Sequence, residues 1–261
     1  AGKGKADGPP FIAMGSSSSV RNLSIWYPEQ KPESITPYPP TLATHAATHA
    51  ANNCANVYHV TLVNSYHGIL IDSVPNGLHT VRDVHGSPLL FGIWMDQCLD
   101  IGRENHVRFC PRYWLESGLI EASDRNRAAV EAFMGEKGTG IYIVRSDWEY
   151  LFDVKLIGYA RGVHIKGNTN AVFYEVDATG GKVGLQVDEI NFIGLALTRC
   201  RFDGREAGVL RTASQTGICQ FNDCVIGGLA KDGARMDAGG KLSFQNCIFA
   251  GWISTGLVAT R

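Results

Sequence analysis

Short apolar runs that alternate with polar residues recur along the chain, and three of them near the C-terminal end repeat one another. Cys200, Cys224 and Cys247 lie 24 and 23 residues apart. Each is followed at the second position by a large apolar residue and at the fourth by glycine: Phe202 and Gly204, Ile226 and Gly228, Phe249 and Gly251. Self-similarity at a fixed period of this length indicates a repeat architecture.

The same register extends upstream with valine in the place of cysteine. The steps are 22 to 24 residues, with one double step of 47, and the positions are Val60, Val84, Val107, Val154 and Val176. A second series runs in phase with the first, in which glycine precedes an apolar-x-apolar triplet: Gly68, Gly92, Gly140, Gly162, Gly184, Gly208, Gly233 and Gly256. One structural unit is therefore repeated along most of the chain.

These repeats predict stacked turns of β-strand. Period-2 alternation of β-branched and aromatic residues is typical of strands, and the Gly and Asn residues between runs are typical of corners. A unit of about 23 residues cannot bury its apolar side chains alone, whereas coils stacked about 4.8 Å apart pair every strand with its copies. We predict a single all-β domain over residues 1–261, a right-handed single-stranded parallel β-helix of about ten coils of 22–25 residues. A leucine-rich or other solenoid is the alternative, and a β-propeller is disfavoured because its blades are about twice as long.

Two segments interrupt the repeat. Residues 27–53 are rich in proline and histidine and are predicted to form a loop insertion, in which His45 and His49 are better explained as loop residues than as metal ligands. Residues 115–138 are predicted to be a helical excursion, with a helix near 123–135. Because ordinary coils lie at both ends, we expect a fragment of a longer β-helix, or capping by missing sequence or another chain.

Composition excludes several classes of partner. The 24 basic and 25 acidic residues are nearly balanced, so no surface for nucleic acid is predicted. No apolar run approaches the roughly 20 residues of a membrane span. The seven cysteines contain no CxxC pair, so no metal site is predicted, and Cys200, Cys224 and Cys247 are expected to stack as buried thiols.

Five motifs in the first 200 residues carry a family resemblance: Tyr27-Pro-Glu-Gln30, Val60-Thr-Leu-Val-Asn-Ser-Tyr-His-Gly68, Gly92-Ile-Trp-Met-Asp-Gln97, Asp100-Ile-Gly-Arg103 and Arg145-Ser-Asp-Trp148. The chain resembles bacterial members of the pectate-lyase superfamily of β-helix proteins, the group related to family 28 glycoside hydrolases. The resemblance implies a carbohydrate-active β-helix that acts on a polysaccharide or oligosaccharide and is secreted or displayed at a bacterial cell surface.

The chain departs from that pattern at the catalytic motifs of true polygalacturonases. Their Asn-Thr-Asp, Asp-Asp and Gly-His-Gly motifs are missing, and Arg161-Gly-Val-His-Ile-Lys166 only partly matches their Arg-Ile-Lys motif. Polygalacturonase residues therefore cannot be transferred to this sequence, and the candidate residues must come from the strand pattern itself.

Outward-facing residues of the glycine-series strands supply the candidate site. Inward and outward residues alternate along a strand, so the second and fourth residues after each glycine face outwards. We predict Asp96 as one catalytic carboxylate and Asp147 or Asp72 as the other, with Asp100 as a further candidate. The predicted substrate-binding residues are Trp94, Arg103, Tyr142, Arg145, Trp148, His164 and Lys166. The alternative is that the aspartates cap turns and that the two tryptophans pack under the helical excursion.

Three functions remain open at this stage. The first is a glycoside hydrolase, in which two carboxylates about 5 Å apart retain configuration and about 6.5–9.5 Å apart invert it. The second is a polysaccharide lyase, for which Arg145, Arg161 and Lys166 are candidates and Ca²⁺ would be a cofactor; the hydrolase needs none. The third is a non-catalytic carbohydrate-binding or structural β-helix, since one scaffold hosts many chemistries.

Overall fold

The computed structural model describes residues 2–44, 52–71, 75–213, 217–227, 231–251 and 253–259. The strands are β1 (Ile12–Met14), β2 (Ser19–Ile25), β3 (Pro40–Thr44), β4 (Asn52–Asn53), β5 (Asn56–Leu62), β6 (His67–Ile71), β7 (Asn76–Gly77), β8 (Thr80–Gly86), β9 (Phe91–Met95), β10 (Gly102–Phe109), β11 (Thr139–Ile143), β12 (Ser146–Ile157), β13 (Arg161–Ile165), β14 (Thr169–Val187), β15 (Leu195–Thr198), β16 (Arg201–Arg211), β17 (Ile218–Asn222), β18 (Val225–Gly227), β19 (Asp232–Met236), β20 (Lys241–Gln245), β21 (Ile248–Ala250) and β22 (Thr255–Ala259). The helices are α1 (Arg112–Leu115) and α2 (Asp124–Lys137).

These strands form a parallel β-solenoid of about eight turns, slightly fewer than the ten predicted coils. Each named strand pairs in parallel with its copies in the neighbouring coils, so the predicted parallel β-helix is confirmed. Face A contains β1, β3, β6, β9, β11, β13, the C-terminal parts of β14 and β16, β19 and β22. The remaining long strands bend partway along their length. The segments before the bend form face B, and the segments after it form face C.

The bend between faces B and C is made by one residue with a positive φ, between 49° and 59°, and it recurs nine times along the described chain: Asn22, His59, Asp83, His106, Asp153, Glu175, Arg199, Asp223 and Asn246. Asn, Asp and His are the non-glycine residues most often found in this left-handed conformation. The bend residue and the residue before it both face outwards, so the alternation of inward and outward positions changes phase at every bend.

The interior confirms the valine and cysteine series. Val107 pairs with Val84 on one side and with Val154 on the other, so the double step in the sequence is one coil with an excursion. Cys200 and Cys224 continue this column, almost fully buried, and the Cys224 thiol donates to the backbone carbonyl oxygens of Asn222 at 3.3 Å and Leu197 at 3.6 Å. The three cysteines are unpaired, as the predicted thiol ladder requires.

The glycine series of face A has a steric cause. A Cβ atom on Gly68 would lie 2.4 Å from the carbonyl oxygen of Gly92, and one on Gly92 would lie 2.2 Å from that of Gly140. The same contact, at 2.5–2.8 Å, recurs at Gly140, Gly162, Gly184, Gly208 and Gly233. Only glycine lets the backbones of neighbouring coils approach this closely.

The helical excursion folds as predicted and extends slightly further. Ser123 caps α2 by accepting a 3.2 Å hydrogen bond from the backbone N–H of Asn126, and the helix ends at Lys137, followed by Gly138 as its C-terminal cap, rather than near Gly135. Val130 and Met134 are buried against the solenoid, and Phe133 contacts the Tyr66 ring beside face A. The helix therefore covers the edge of face A where its strands begin.

Two other details differ from the sequence predictions. The short helix α1 was not predicted, and the predicted loop over 27–53 is interrupted by β3, a fully buried strand of face A. Leu42 of β3 pairs with Ile12 and Ile69, so the proline-rich segment before it is one long corner of the solenoid. His45 and His49 lie outside the described residues.

Candidate functional site

An aromatic ladder runs along the outer surface of face A. It consists of His67, Phe91, Trp94 and Tyr142, which lie on three neighbouring strands. The ring centroids are 5.3 Å apart for His67 and Phe91, 4.9 Å for Phe91 and Trp94, and 5.2 Å for Trp94 and Tyr142. Each ring is half-buried, with one side against the sheet, so the ladder is a continuous apolar strip about two strand spacings long.

The ladder continues into a polar cluster centred on Asp188. The Tyr142 ring lies 5.0 Å from that of His164, and His164 Nε2 lies 2.9 Å from Asp188 Oδ2. Asp188 also accepts hydrogen bonds from three other side chains: Lys166 Nζ at 3.0 Å, Gln186 Nε2 at 2.8 Å and Thr212 Oγ1 at 2.7 Å. The Asp188 cluster, completed by Arg161 through its bond to Gln186, thus spans the next three coils.

These contacts fix the charge of Asp188. Burial alone would raise the pKa of Asp188, but the hydrogen bonds from His164, Gln186, Thr212 and Lys166 hold it far below its usual range. The same contact with Asp188 raises the pKa of Lys166. At the other end of the strip, burial lowers the pKa of His67 to about 4, so that ring is neutral at pH 7.

Replacing Asp188 by asparagine is expected to lower the free energy of unfolding at pH 7 by about 2–3 kcal/mol, because four donors lose a charged acceptor. A carboxyl with a depressed folded-state pKa contributes stability above its unfolded pKa, and this contribution is lost as the pH falls below it. The cost should therefore shrink below about pH 4, as measured by urea unfolding over a pH series.

The matched control is Asp237→Asn, at the equivalent position two coils further along face A. Asp237 is exposed and bonds to Arg235, also on the surface, so its loss should cost less than about 1 kcal/mol. Equal costs for the two variants would contradict the central role of Asp188.

The structure brings Asp96 and Asp147 to the same corner, where face A ends. Asp96 Oδ1 accepts a 2.7 Å hydrogen bond from the backbone N–H of Gln97, whose side chain lies 3.4 Å from Arg145 Nη1. Arg145 Nη2 in turn lies 3.6 Å from Asp147 Oδ2. The two predicted carboxylates are thus linked through Gln97 and Arg145, just past the end of β9, the strand that carries Trp94.

The other predicted residues lie elsewhere or outside the described chain. Asp100 is exposed in the following turn, where Oδ1 accepts a hydrogen bond from the backbone N–H of Ile101. Arg103 faces outwards on face B, paired in register with Tyr150. Trp148 has a positive φ at a β-bulge and is 42% exposed. Asp72 lies outside the described residues.

Charged side chains along the bend form pairs between coils. Asp83 Oδ1 lies 2.6 Å from His106 Nδ1, and Asp83 Oδ2 lies 3.3 Å from His59 Nδ1. Arg108 pairs with Asp153 at 2.5 Å. The outer side of the bend is therefore a surface on which ion pairs connect neighbouring coils.

Comparisons of the chain with family models, curated proteins and solved structures found no match. The β-solenoid fold is the part of the pectate-lyase resemblance that the structure supports. Neither described helix has the length and apolar character needed to cross a membrane.

Proposed function

We propose that this protein is carbohydrate-active and holds a polysaccharide or oligosaccharide along face A. The aromatic ladder carries the proposal, because flat rings with an apolar body are suited to the faces of sugar rings. The Asp188 cluster continues the same strip with groups that hydrogen-bond to hydroxyls. Membership in the pectate-lyase superfamily, with secretion or display at a bacterial cell surface, belongs to this proposal.

A cavity at the start of the ladder adds support. Its volume is about 210 Å³, and it lies between the N-terminal segment Ala6–Gly8 and the side chains of His67 and Trp94. His67 Nε2 and Trp94 Nε1 are buried and have no hydrogen-bond partner in the described chain. Because buried polar atoms are nearly always paired, a ligand hydroxyl at this position would satisfy them.

The catalytic part of the proposal is glycoside hydrolysis by Asp96 and Asp147. Two carboxyl groups beside a sugar-binding strip are the usual requirement for this reaction, one as acid and one as base or nucleophile. Asp188 does not suit the role of acid, since its pKa is held far below the usual range. A lyase with Lys166 as the base is disfavoured because Asp188 stabilises the charged form of that lysine.

If glycan binds along face A, removing a ring of the aromatic ladder should strongly lower the affinity for glycan. Trp94→Ala and Tyr142→Ala should each weaken glycan binding at least about tenfold, as expected for aromatic residues at the centre of a contact surface. Affinity electrophoresis over a panel of plant, algal and microbial glycans identifies the ligand, and calorimetry measures the loss. Trp26→Ala, at another exposed tryptophan, is the control; unchanged binding in the ladder variants contradicts the proposal.

The catalytic part is tested separately. Asp96→Asn and Asp147→Asn should each reduce the release of reducing ends by at least about 100-fold while leaving glycan affinity within about twofold. Absorbance near 235 nm, where unsaturated uronates absorb, distinguishes lyase products. If the wild-type protein binds glycan but releases no product, it is a non-catalytic carbohydrate-binding protein. If both variants keep the wild-type turnover, the assignment of Asp96 and Asp147 as catalytic residues is wrong.

A further inference from the structure

A cluster of ionisable side chains is enclosed inside the solenoid. His79, Glu104 and Glu149 are at most 1% exposed. His79 Nε2 lies 3.0 Å from Glu104 Oε1 and 3.4 Å from Glu149 Oε1. Cys98 and Ser146, also fully buried, complete the cluster. Carboxylates are almost never placed in a protein interior without a specific partner for their charge.

The backbone places these residues on three successive coils. His79, Gly102 and Glu149 occupy the same position in the repeat, five residues before Val84, Val107 and Val154 respectively. Gly102 lies between the other two, and a Cβ atom there would be 2.1 Å from Glu149 Oε1 and 2.5 Å from His79 Nε2. Because Gly102 has no side chain, the His79 imidazole and the Glu149 carboxylate can come into contact across the coil between them.

The surrounding hydrogen bonds determine which ring nitrogen faces the acids. The Cys98 thiol donates to the carbonyl oxygen of Asp100 at 3.0 Å, so at His79 Nδ1, 3.6 Å away, its sulfur acts as the acceptor. Nδ1 then carries a hydrogen, and Nε2, once deprotonated, would direct its lone pair towards the two glutamates. Ser146 Oγ donates to Glu149 Oε2 at 2.6 Å and orients Glu149 Oε1 to the same point.

One carboxyl oxygen of each of the two glutamates has no hydrogen-bond donor in the described chain. Glu104 Oε2 and Glu149 Oε1 accept no hydrogen bond within the described chain, and no Lys or Arg of the described residues forms an ion pair with either acid. The only basic group in contact with the two carboxyl groups in the described chain is therefore the single imidazole of His79, and a bound cation would balance their charge.

We propose that His79 Nε2, Glu104 and Glu149 bind one divalent transition-metal ion inside the solenoid, with zinc as the probe. Metal–nitrogen and metal–oxygen bonds of about 2.0–2.2 Å with tetrahedral angles put neighbouring ligand atoms about 3.3–3.5 Å apart. The observed separations of 3.0 and 3.4 Å need only a small adjustment to reach that spacing. One divalent cation balances two carboxylates, and the thiol of Cys98 orients the imidazole from outside the ligand set.

The position of the site suggests what the ion does. Its ligands come from three successive coils, and the chain between Glu104 and Glu149 contains both helices of the excursion. The ion would therefore connect the coil before the helical excursion with the coil after it. Since the site forms only when these coils stack, metal binding would be coupled to folding.

The test uses the full chain. Protein is unfolded with a chelator, then refolded with or without ZnCl₂, desalted, and examined by metal analysis and thermal unfolding. We expect about one zinc ion per chain and a melting temperature about 5–10 °C higher for the zinc-refolded protein. Less than about 0.1 zinc per chain with equal melting temperatures would overturn the proposal, and the cluster would then be a proton-sharing network.

Variants distinguish this site from surface histidines. The double variant Glu104→Gln/Glu149→Gln should lose the bound zinc and the shift in melting temperature. Asp83→Asn, which removes the partner of the exposed His59 and His106, should retain both. Zinc that remains on the glutamine variant, or that leaves with Asp83→Asn, would overturn the assignment to the interior.

Discussion

Replacing Gly92 by alanine is expected to lower the free energy of unfolding by about 3 kcal/mol, the upper range for overpacking a close-packed interior. The new Cβ would lie 2.2 Å from the Gly140 carbonyl oxygen and 2.7 Å from Cδ2 of the Phe109 ring. The carbonyl oxygen cannot withdraw without separating the paired strands β9 and β11, and the Phe109 ring is fully buried in the core. Denaturant unfolding followed by circular dichroism measures the change.

Gly15→Ala is the matched control for this prediction. Gly15 is exposed, and an added Cβ would meet no heavy atom within 4 Å. Its substitution should change the stability by less than about 0.5 kcal/mol. A Gly92 variant as stable as the Gly15 variant would show that face A does not stack as closely as described.

Replacing Glu149 by alanine should cost about 3–5 kcal/mol, the range for removing one member of a buried charge pair. The change removes the acceptor of the Ser146 hydroxyl and a partner of His79, and it leaves a cavity in a dry interior. The measurement is the same unfolding experiment at pH 7.

Glu206→Ala provides the comparison, because Glu206 is exposed on the same solenoid. Its loss should lie within about 0.5 kcal/mol of the wild-type stability. If Glu149→Ala were equally mild, the interior cluster would be solvated in solution rather than enclosed.

The core could be predicted from the sequence because its signal is repeated in every coil. The register of Val60, Val84, Val107, Val154 and Val176 is confirmed residue by residue, including the pairing of Val107 with Val154 across the excursion. The glycine series was recognised, although its cause, the close carbonyl of the next coil, needed coordinates.

The interior acids could not be found by alternation alone. The left-handed residue at each bend adds one outward position, so Glu104, three residues before Val107, faces inwards where strict alternation would place it outside. Glu149, five residues before Val154, faces inwards for the same reason, because the bend at Asp153 shifts the alternation before it. Each shift depends on a single φ angle, which the pattern of apolar residues does not encode.

The alignment of several predicted residues on face A could be predicted from the sequence, because alternation holds within one strand series. Trp94, Tyr142, His164 and Lys166 belong to one face, so simple alternation aligned them, and the structure brings them into one strip. The central role of Asp188 was missed because it arises from donors on three different coils. Arg103 lies beyond the corner that follows face A. Past that corner, counting residues from Gly92 no longer predicts whether a side chain faces inwards or outwards.

A crystal structure of the protein with its tightest-binding glycan tests the central claim most directly. The account predicts sugar rings stacked on Trp94 and Tyr142, with hydroxyls reaching the Asp188 cluster at one end and His67 at the other. A glycan bound on face B or face C, with the ladder left in contact with solvent, would contradict it.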